Sequence, residues 1–162
     1  MFREMRRKKQ LLSPEETIAI LRAGTAGVLA VSGDDDYPYA VPLSYVYDDF
    51  KIYFHCAPAG HKLDAIAKNR KVSFCVIGQD HVMPQEFTTY FRSAIAFGTA
   101  RILEDPAEKR AALEKLAAKY SPGQEAGRLR EIERLFDKTC MVEIAVEHLS
   151  GKEAIELVSQ KH

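Results

Sequence analysis

The chain has 162 residues, 46% of them hydrophobic, which is enough for one domain with a substantial hydrophobic core. Lys and Arg number 23 and so do Asp and Glu, and this zero formal net charge argues against nucleic-acid or acidic-membrane partners. The three cysteines are widely spaced and odd in number, so we predict a reduced, cytoplasmic protein without a disulfide framework. No apolar run resembles a signal peptide or a membrane span, so we predict no membrane association.

The first 12 residues form a basic arm, with Lys or Arg at positions 3, 6, 7, 8 and 9. Such a run is typical of a solvated terminal segment, and contact with a polyanion is the alternative. Helix signals follow at once, with Ser13 as the cap, Pro14 at the first helical position and Glu16 three residues after the cap. This pattern predicts a helix to about Ala23, ended by Gly24.

Three strands are predicted next, at residues 27–32, 39–47 and 51–55, separated by turn sequences rich in Asp. Loops this short cannot make a parallel crossover, so these strands are expected to be antiparallel neighbours. A helix over 61–69 and a continuous apolar strand over 71–77 follow. The apolar density of this strand predicts that both of its faces are buried.

A polar loop over 78–86 leads to a long predicted strand over 87–103, which contains Gly98. A glycine inside so long a strand indicates a bulge or bend, as a closing barrel requires. Two amphipathic helices then occupy an insert over 105–137, and a last strand covers 141–147. The sum is an α+β fold in which six mostly antiparallel strands form a small barrel with flanking helices, in one domain over the whole chain.

The stretch from Tyr37 to Ile66 has the form of an anion-binding corner. Two strands run into a Gly-His-Lys turn that opens a helix, where Gly60 lets the backbone approach a ligand and Lys62 supplies positive charge. The free amides at the start of that helix add to the attraction for a phosphate. It is not a Walker loop, because no glycine stands five positions before Gly60 and Leu63 replaces the Ser or Thr that would hold magnesium. The chemistry predicted is nucleotide or cofactor binding.

A family resemblance spans nearly the whole chain. It is carried, in order, by YPYAVPLSYVYDD, IYFHCAPAGHKLDAI, VSFCVI, TTYFRSAIAFGTARIL and a final strand ending in LSGKEA. The chain resembles the pyridoxamine 5′-phosphate oxidase-like, FMN-binding split barrels, and within them it is most similar to the nitroimidazole-resistance (Nim-type) branch. The resemblance implies a six-stranded antiparallel split β-barrel, and a homodimer with two FMN molecules in clefts between the subunits.

The same resemblance implies a set of cofactor-binding residues. They comprise a strand beside the flavin ring, the end of the next strand, the phosphate turn, and a segment offered by the partner subunit. In that order they are Pro42, Leu43, Ser44 and Tyr45; His55, Cys56 and Ala57; Gly60, His61 and Lys62; and Ser93 with Tyr90 and Arg92. The oxidase has an Arg-Lys pair at the turn, so with His61 here Lys62 would supply the main charge. The residues that bind pyridoxamine phosphate have no clear match, which argues against vitamin-oxidase activity.

Several of these residues also have purely structural explanations. Pro42 fits an edge strand or a bulge, and Tyr45 is a residue type that any half-buried sheet prefers. His55 is the candidate catalytic side chain, because an imidazole can donate to a flavin or move a proton near neutral pH. A lone His at a strand end is more often a surface or hydrogen-bonded residue. His55, His61 and His81 lack the spacing of a zinc site, and no metal is predicted.

The function expected is that of an FMN-dependent oxidoreductase, which passes electrons from a reductant to a small oxidised acceptor such as a nitroaromatic compound. The chain lacks a Gly-x-Gly-x-x-Gly fingerprint, so a nicotinamide donor would bind transiently over the flavin. Two alternatives stay open. One is a haem- or F420-binding split barrel, with His55 or His61 as an axial haem ligand. The other is a flavin- or small-molecule-binding protein without turnover.

Overall fold

The computed structural model describes residues 1–161, which form one antiparallel sheet with helices at its edges and ends. The strands in this part of the chain are β1 (Gly27–Ser32), β2 (Pro38–Leu43), β3 (Val46–Asp48), β4 (Lys51–Cys56), β5 (Lys71–Met83), β6 (Thr88–Ile102) and β7 (Cys140–Glu153). The helices are α1 (Pro14–Ala23), α2 (His61–Lys68), α3 (Pro106–Tyr120), α4 (Glu125–Leu135) and α5 (Ile155–Gln160). The predicted α+β class and the antiparallel pairing are confirmed.

The predicted count of six strands is wrong, because the segment 39–47 forms two strands rather than one. β2 lies at one edge of the sheet and β3 at the other, in the order β2-β1-β5-β6-β7-β4-β3. Pro42 cannot donate a ladder hydrogen bond, which suits the edge strand β2. Only Ser44 and Tyr45 connect the two edges, so the edges approach to within about 11 Å where the chain crosses between them. The sheet is therefore curled into a barrel that is split at this crossing and is not closed by hydrogen bonds.

Strand β5 extends well beyond its apolar segment. The predicted loop over 78–86 is wrong for most of its length, since pairing with β6 continues to Met83 past a bulge at Gly78. The backbone ladder of a hairpin does not require apolar side chains, so the polar composition was misleading. The apolar run also buries only one face within one chain, because Val76 is inaccessible whereas Ile77 is 67% exposed. The predicted burial of both faces is therefore wrong for the single chain.

The predicted bulge at Gly98 is confirmed, because the pairing of β6 with β7 shifts register between Phe97 and Gly98. A Cβ atom on Gly98 would stand only 2.2 Å from the carbonyl oxygen of Ala145 on β7, so no larger residue fits this close approach. β7 runs to Glu153 rather than to the predicted end at Glu147. Helix α5, which follows it, was not predicted from the sequence.

The hydrophobic core lies on the inner face of the curled sheet, with α1 packed against β5, β6 and β7. The inaccessible side chains on this face include Leu29, Phe54, Phe74, Val76, Ala96 and Ile144. The start of α1 is the predicted capping box: the Glu16 amide donates to the Ser13 hydroxyl at 3.1 Å, and the Ser13 amide donates to the Glu16 carboxylate at 2.9 Å. The predicted position of α2 is confirmed to within about one residue at each end, and the two helices predicted in the insert over 105–137 are α3 and α4.

The basic arm over 1–12 is partly packed against the sheet. Its Lys and Arg side chains are exposed, as predicted for a solvated segment, but Gln10 and Leu12 are buried. The Gln10 side-chain amide donates to the Glu153 carbonyl at 2.9 Å, and the Phe2 ring stacks on His148 with centroids 4.8 Å apart. The expectation of a solvated arm is therefore wrong for these apolar and amide side chains. Within residues 1–161, no helix combines the length and the hydropathy that crossing a membrane would require.

Candidate functional site at the split edge of the sheet

Three of the predicted segments meet at the split. Residues 42–45 cross between the sheet edges, residues 55–57 end β4, and residues 60–62 open α2. The Ser44 and His55 side chains line one cavity and so face the same space. The His61 ring stacks on Tyr39 of β2, with centroids 4.0 Å apart, which ties the start of α2 to the edge strand. The tertiary structure thus brings these segments to one side of the barrel.

The turn at the start of α2 has the properties of an anion site. Gly60 has a φ of 151°, which side chains rarely adopt, and no heavy atom lies within 4 Å of the position its Cβ would occupy. No side chain caps α2, so its first backbone amides keep their hydrogen-bonding capacity. Lys62 is half-buried and forms no ion pair with the residues that the structure describes, whereas His61 and Lys68 both face Asp34, at 3.9 and 3.8 Å. Positive charge and free donors therefore converge on open space.

Cys56 lies beside this turn and is a protonated thiol near neutral pH. Burial raises the pKa of Cys56 to about 11, the neighbouring Cys140 thiol adds to the rise, and the Lys62 ammonium opposes it. Cys140 is the direct cross-strand partner of Cys56, on β7. Sequence reasoning missed this thiol pair, because nothing local to either cysteine indicates that β4 pairs with β7. A thiol with this pKa is a hydrogen-bonding or packing group rather than a nucleophile.

The Tyr45 side chain belongs to the hydrophobic core, in line with the structural alternative to a cofactor-binding role. Its ring is inaccessible, its hydroxyl donates to the Leu21 carbonyl at 2.5 Å, and burial raises its pKa above the ordinary range. Its backbone is bound as well: the Tyr45 amide donates to the Tyr120 hydroxyl at 3.0 Å, and the Lys119 ammonium donates to the Tyr45 carbonyl at 2.9 Å. Tyr45 therefore anchors α3 to the crossing between the sheet edges.

The histidines do not converge. His55 is exposed at the end of β4 and faces the insert helices, whereas His61 is stacked on the edge strand. His81 lies in the hairpin of β5 and β6, opposite Tyr90. Residues 1–161 contain no group of three His, Cys, Asp or Glu side chains placed to hold a metal ion.

The remaining predicted residues, on β6, lie elsewhere in the chain. Ser93 alternates with the buried Ala94 along β6, so it lies on the same outer face of the sheet as the exposed Ile95 and Phe97. The Arg92 guanidinium is occupied, since Nε donates to the Glu153 carboxylate at 3.1 Å and a terminal nitrogen donates to Gln79 at 2.9 Å. Ser93 is accordingly not among the residues that line the cavity with Ser44 and His55.

The outer face of the central strands carries apolar side chains that the single chain leaves uncovered. Ile95 and Phe97 on β6 are each 37% exposed, and Ile77 on β5 is 67% exposed. Val28 and Cys75 lie in the same row as Ile95 and are half-buried. A contiguous exposed apolar surface of this kind is typical of a protein–protein contact.

The curled, split sheet with an anion turn beside its crossing defines the chain as a split-barrel protein. The family model for pyridoxamine 5′-phosphate oxidase matches residues 13–153. The chain therefore belongs to the pyridoxamine 5′-phosphate oxidase family, which confirms the resemblance seen in the sequence. No curated protein matches the sequence.

Solved structures share the architecture. A protein assigned to 5-nitroimidazole antibiotic resistance, from Bacteroides thetaiotaomicron, is 21% identical with a TM-score of 0.73, covering 88% of this chain and 86% of its own. An FAD-binding protein from Mesorhizobium loti is 28% identical with a TM-score of 0.65, covering 90% of this chain and 97% of its own. An FAD and haem binding protein from Mycobacterium smegmatis is 22% identical with a TM-score of 0.75, covering 95% of this chain and 80% of its own.

Proposed function

We propose that this protein is an FMN-binding flavoprotein of the nitroimidazole-resistance type. It would pass electrons from a reductant to a small oxidised acceptor such as a nitroaromatic compound. The observation that carries the proposal is the uncapped start of α2, where Lys62 lacks an ion-pair partner among the described residues and Gly60 leaves open space beside the split. A helix N-terminus with a nearby ammonium is a favourable place for a phosphate group.

The residues at the split suit such a cofactor. The backbone of Pro42, Leu43 and Ser44 would lie beside the ring, with Ala57 close to the ribityl chain and Lys62 on the phosphate. Bound FMN would supply hydride acceptance and transfer of one or two electrons. His55, exposed at the cavity, would donate to the acceptor or hold a proton, and the protonated Cys56 would pack beside the cofactor. The His61 ring stacks on Tyr39, so Lys62 would supply the positive charge that faces the phosphate.

We also propose that a second copy of the chain completes the cleft. The support is the uncovered apolar face of β5 and β6, on which Ser93 also lies. In a homodimer, Tyr90 and Ser93 of one subunit would face the split of the other. The balanced charge and the spaced thiols support a cytoplasmic protein without a nucleic-acid partner.

The dimer is tested by sedimentation of the wild-type protein and of Ile95→Lys, which places a charge on the uncovered face. We expect a wild-type dimer, and a monomeric variant that has lost most of its FMN affinity. Leu129→Lys is the matched control, because Leu129 is also an exposed apolar residue, at 48%, but lies on α4. A wild-type monomer that retains FMN would contradict the shared cleft.

The cofactor assignment is tested by the visible spectrum of the purified protein and by identifying what denaturation releases. We expect flavin absorbance and release of FMN. Colourless protein that gains no flavin absorbance with excess FMN would exclude the assignment. Turnover is tested separately, by consumption of NADPH or NADH with a nitroaromatic acceptor, and bound FMN without consumption would favour a binding protein.

A further inference from the structure

The two helices of the insert enclose a cavity of about 230 Å³ against the end of β4. Its wall is apolar and comes from both helices, with Leu113, Leu116 and Ala117 on α3 and Ile132 and Leu135 on α4. An engineered cavity of about 150 Å³ holds benzene, so a cavity of this size accommodates one substituted aromatic ring. The lining therefore favours a small, flat, apolar ligand.

The cavity wall is held in place by specific contacts. At the end of α3, the Tyr120 hydroxyl donates to the Thr25 carbonyl at 2.6 Å, and the Lys119 ammonium donates to the Gly24 and Tyr45 carbonyls. At the start of α3, the Lys109 ammonium donates to the Phe136 carbonyl beyond α4, at 2.5 Å. Both ends of the helix pair are thus fixed, so the cavity is a preformed site rather than a transient gap.

Polar side chains also line the cavity. Ser44 contributes from the crossing, His55 from β4, Tyr120 from α3, Arg128 and Glu131 from α4, and Thr139 from just before β7. One terminal nitrogen of Arg128 donates to the Ser121 carbonyl at 2.9 Å, and Arg128 has no carboxylate partner among residues 1–161. The Glu131 carboxylate is paired with Arg134 through contacts of 2.6 and 3.2 Å. The free donors of the Arg128 fork are therefore available to an acceptor oxygen on a ligand.

We propose that this insert cavity is the acceptor subsite, and that it binds a single-ring aromatic compound whose carboxylate or nitro oxygens face Arg128. The assignment to the acceptor rests on the proposed function, because Ser44 and His55 also border the split where FMN is expected. Binding of the aromatic ring rests on the cavity alone. The insert over 105–137 would thus set acceptor specificity, while the barrel binds the cofactor.

The probe is 4-nitrobenzoate, titrated calorimetrically into the protein with and without saturating FMN. Ala117→Trp fills the cavity, and Ala118→Trp is its matched control, because Ala118 is exposed on the other side of the same helix. We expect Ala117→Trp to weaken binding by about tenfold or more, the scale of steric exclusion from an apolar pocket. We expect Ala118→Trp to bind as the wild type does.

A second pair of variants tests the polar end without altering the wall. Arg128→Met should weaken 4-nitrobenzoate by about tenfold, the cost of one charged hydrogen bond. Binding of nitrobenzene, which lacks the carboxylate, should change much less. Arg130→Met is the control, since Arg130 is exposed and does not reach the cavity. Circular dichroism confirms the helix content of each variant.

The outcomes separate this proposal from the cofactor assignment. Equal affinity in Ala117→Trp and wild type would overturn the insert cavity as the binding site. Competition between 4-nitrobenzoate and FMN would also overturn it, because the cavity would then be the site of the flavin ring. Selective loss of probe binding in Ala117→Trp, in a protein that never binds FMN, would support the cavity and refute the flavoprotein.

Discussion

Two cations that the sequence placed in the same cofactor site have different surroundings in the fold. Arg92, near the start of β6, is bound to the nearly inaccessible Glu153 at 3.1 Å and to Gln79. Lys62, at the start of α2, is half-buried beside uncapped amides and forms no ion pair within residues 1–161. The charge of Arg92 is neutralised by its own chain, whereas that of Lys62 is available to a ligand. Residue type and motif alone do not distinguish these two roles.

The difference has an electrostatic origin. Glu153 is 2% exposed and would be costly as an isolated charge, so Arg92 and Lys161 are needed to compensate it. Lys62 does not compensate a buried carboxylate. Its positive charge opposes the rise that burial causes in the pKa of Cys56, and it faces open space. We therefore expect substitutions of Arg92 to change stability, and substitutions of Lys62 to change ligand binding.

The largest expected effect is on stability. Arg92→Met should lower the free energy of unfolding by about 3 kcal/mol, at the low end for a broken buried pair because Lys161 still contacts Glu153. Urea unfolding measures it, with the exposed Arg130→Met as the control. Unchanged stability combined with lost FMN binding would reverse the comparison and place Arg92 in the cofactor site.

The next effect is on cofactor affinity. Lys62→Met should weaken FMN binding by about 2 kcal/mol, or roughly 30-fold, for one charged hydrogen bond. Riboflavin, which lacks the phosphate, should bind Lys62→Met as it binds wild type, so the preference for FMN should collapse. Lys68→Met is the control, because Lys68 lies on the same helix but faces Asp34. An equal loss for riboflavin would show that Lys62 does not act on the phosphate.

A smaller effect concerns the reactivity of Cys56. Its pKa of about 11 predicts an alkylation rate by iodoacetamide that rises about tenfold per pH unit up to that value. Because Lys62 opposes the rise in pKa, Lys62→Met should alkylate Cys56 more slowly than wild type at pH 9. Mass spectrometry of the modified peptide measures the rate. Faster alkylation in the variant would mean that Lys62 shields the thiol rather than stabilising its thiolate.

The smallest expected effect lies on the acid side of the stability profile. A hydrogen bond from Lys161, with a further one from the Ser13 amide, lowers the pKa of Glu16 from 4.5 to about 2. The folded state thus favours the carboxylate, and this stabilisation is complete above pH 4.5 and is lost as the pH falls towards 2. Glu16→Gln should flatten that part of the profile, with Glu15→Gln as the control. The effect is small because Glu16 is exposed to solvent. An unchanged slope in Glu16→Gln would remove Glu16 from the network around Glu153.

Much of the local structure could be predicted from short stretches of sequence. Ser13 and Glu16 specified the start of α1, Gly98 marked the bulge in β6, and Gly60 marked the turn before α2. Each of these depends on residues within a few positions along the chain. The strand over 39–47 could not be divided in this way. Pro42 is compatible with an edge strand, but nothing local shows that the chain leaves one sheet edge after Leu43 and joins the other at Val46.

The amino-acid sequence by itself determined the elements, the family and the positively charged turn, since capping, turn conformation and apolar periodicity act over short distances. Tertiary structure alone decided which charges are free. Glu153 reaches Arg92 from 61 positions away, and Cys140 reaches Cys56 through the pairing of β4 with β7. The insert cavity likewise exists only where α3 and α4 pack against the end of β4. Electrostatic compensation and packing are properties of neighbours in space, so no local pattern reports them.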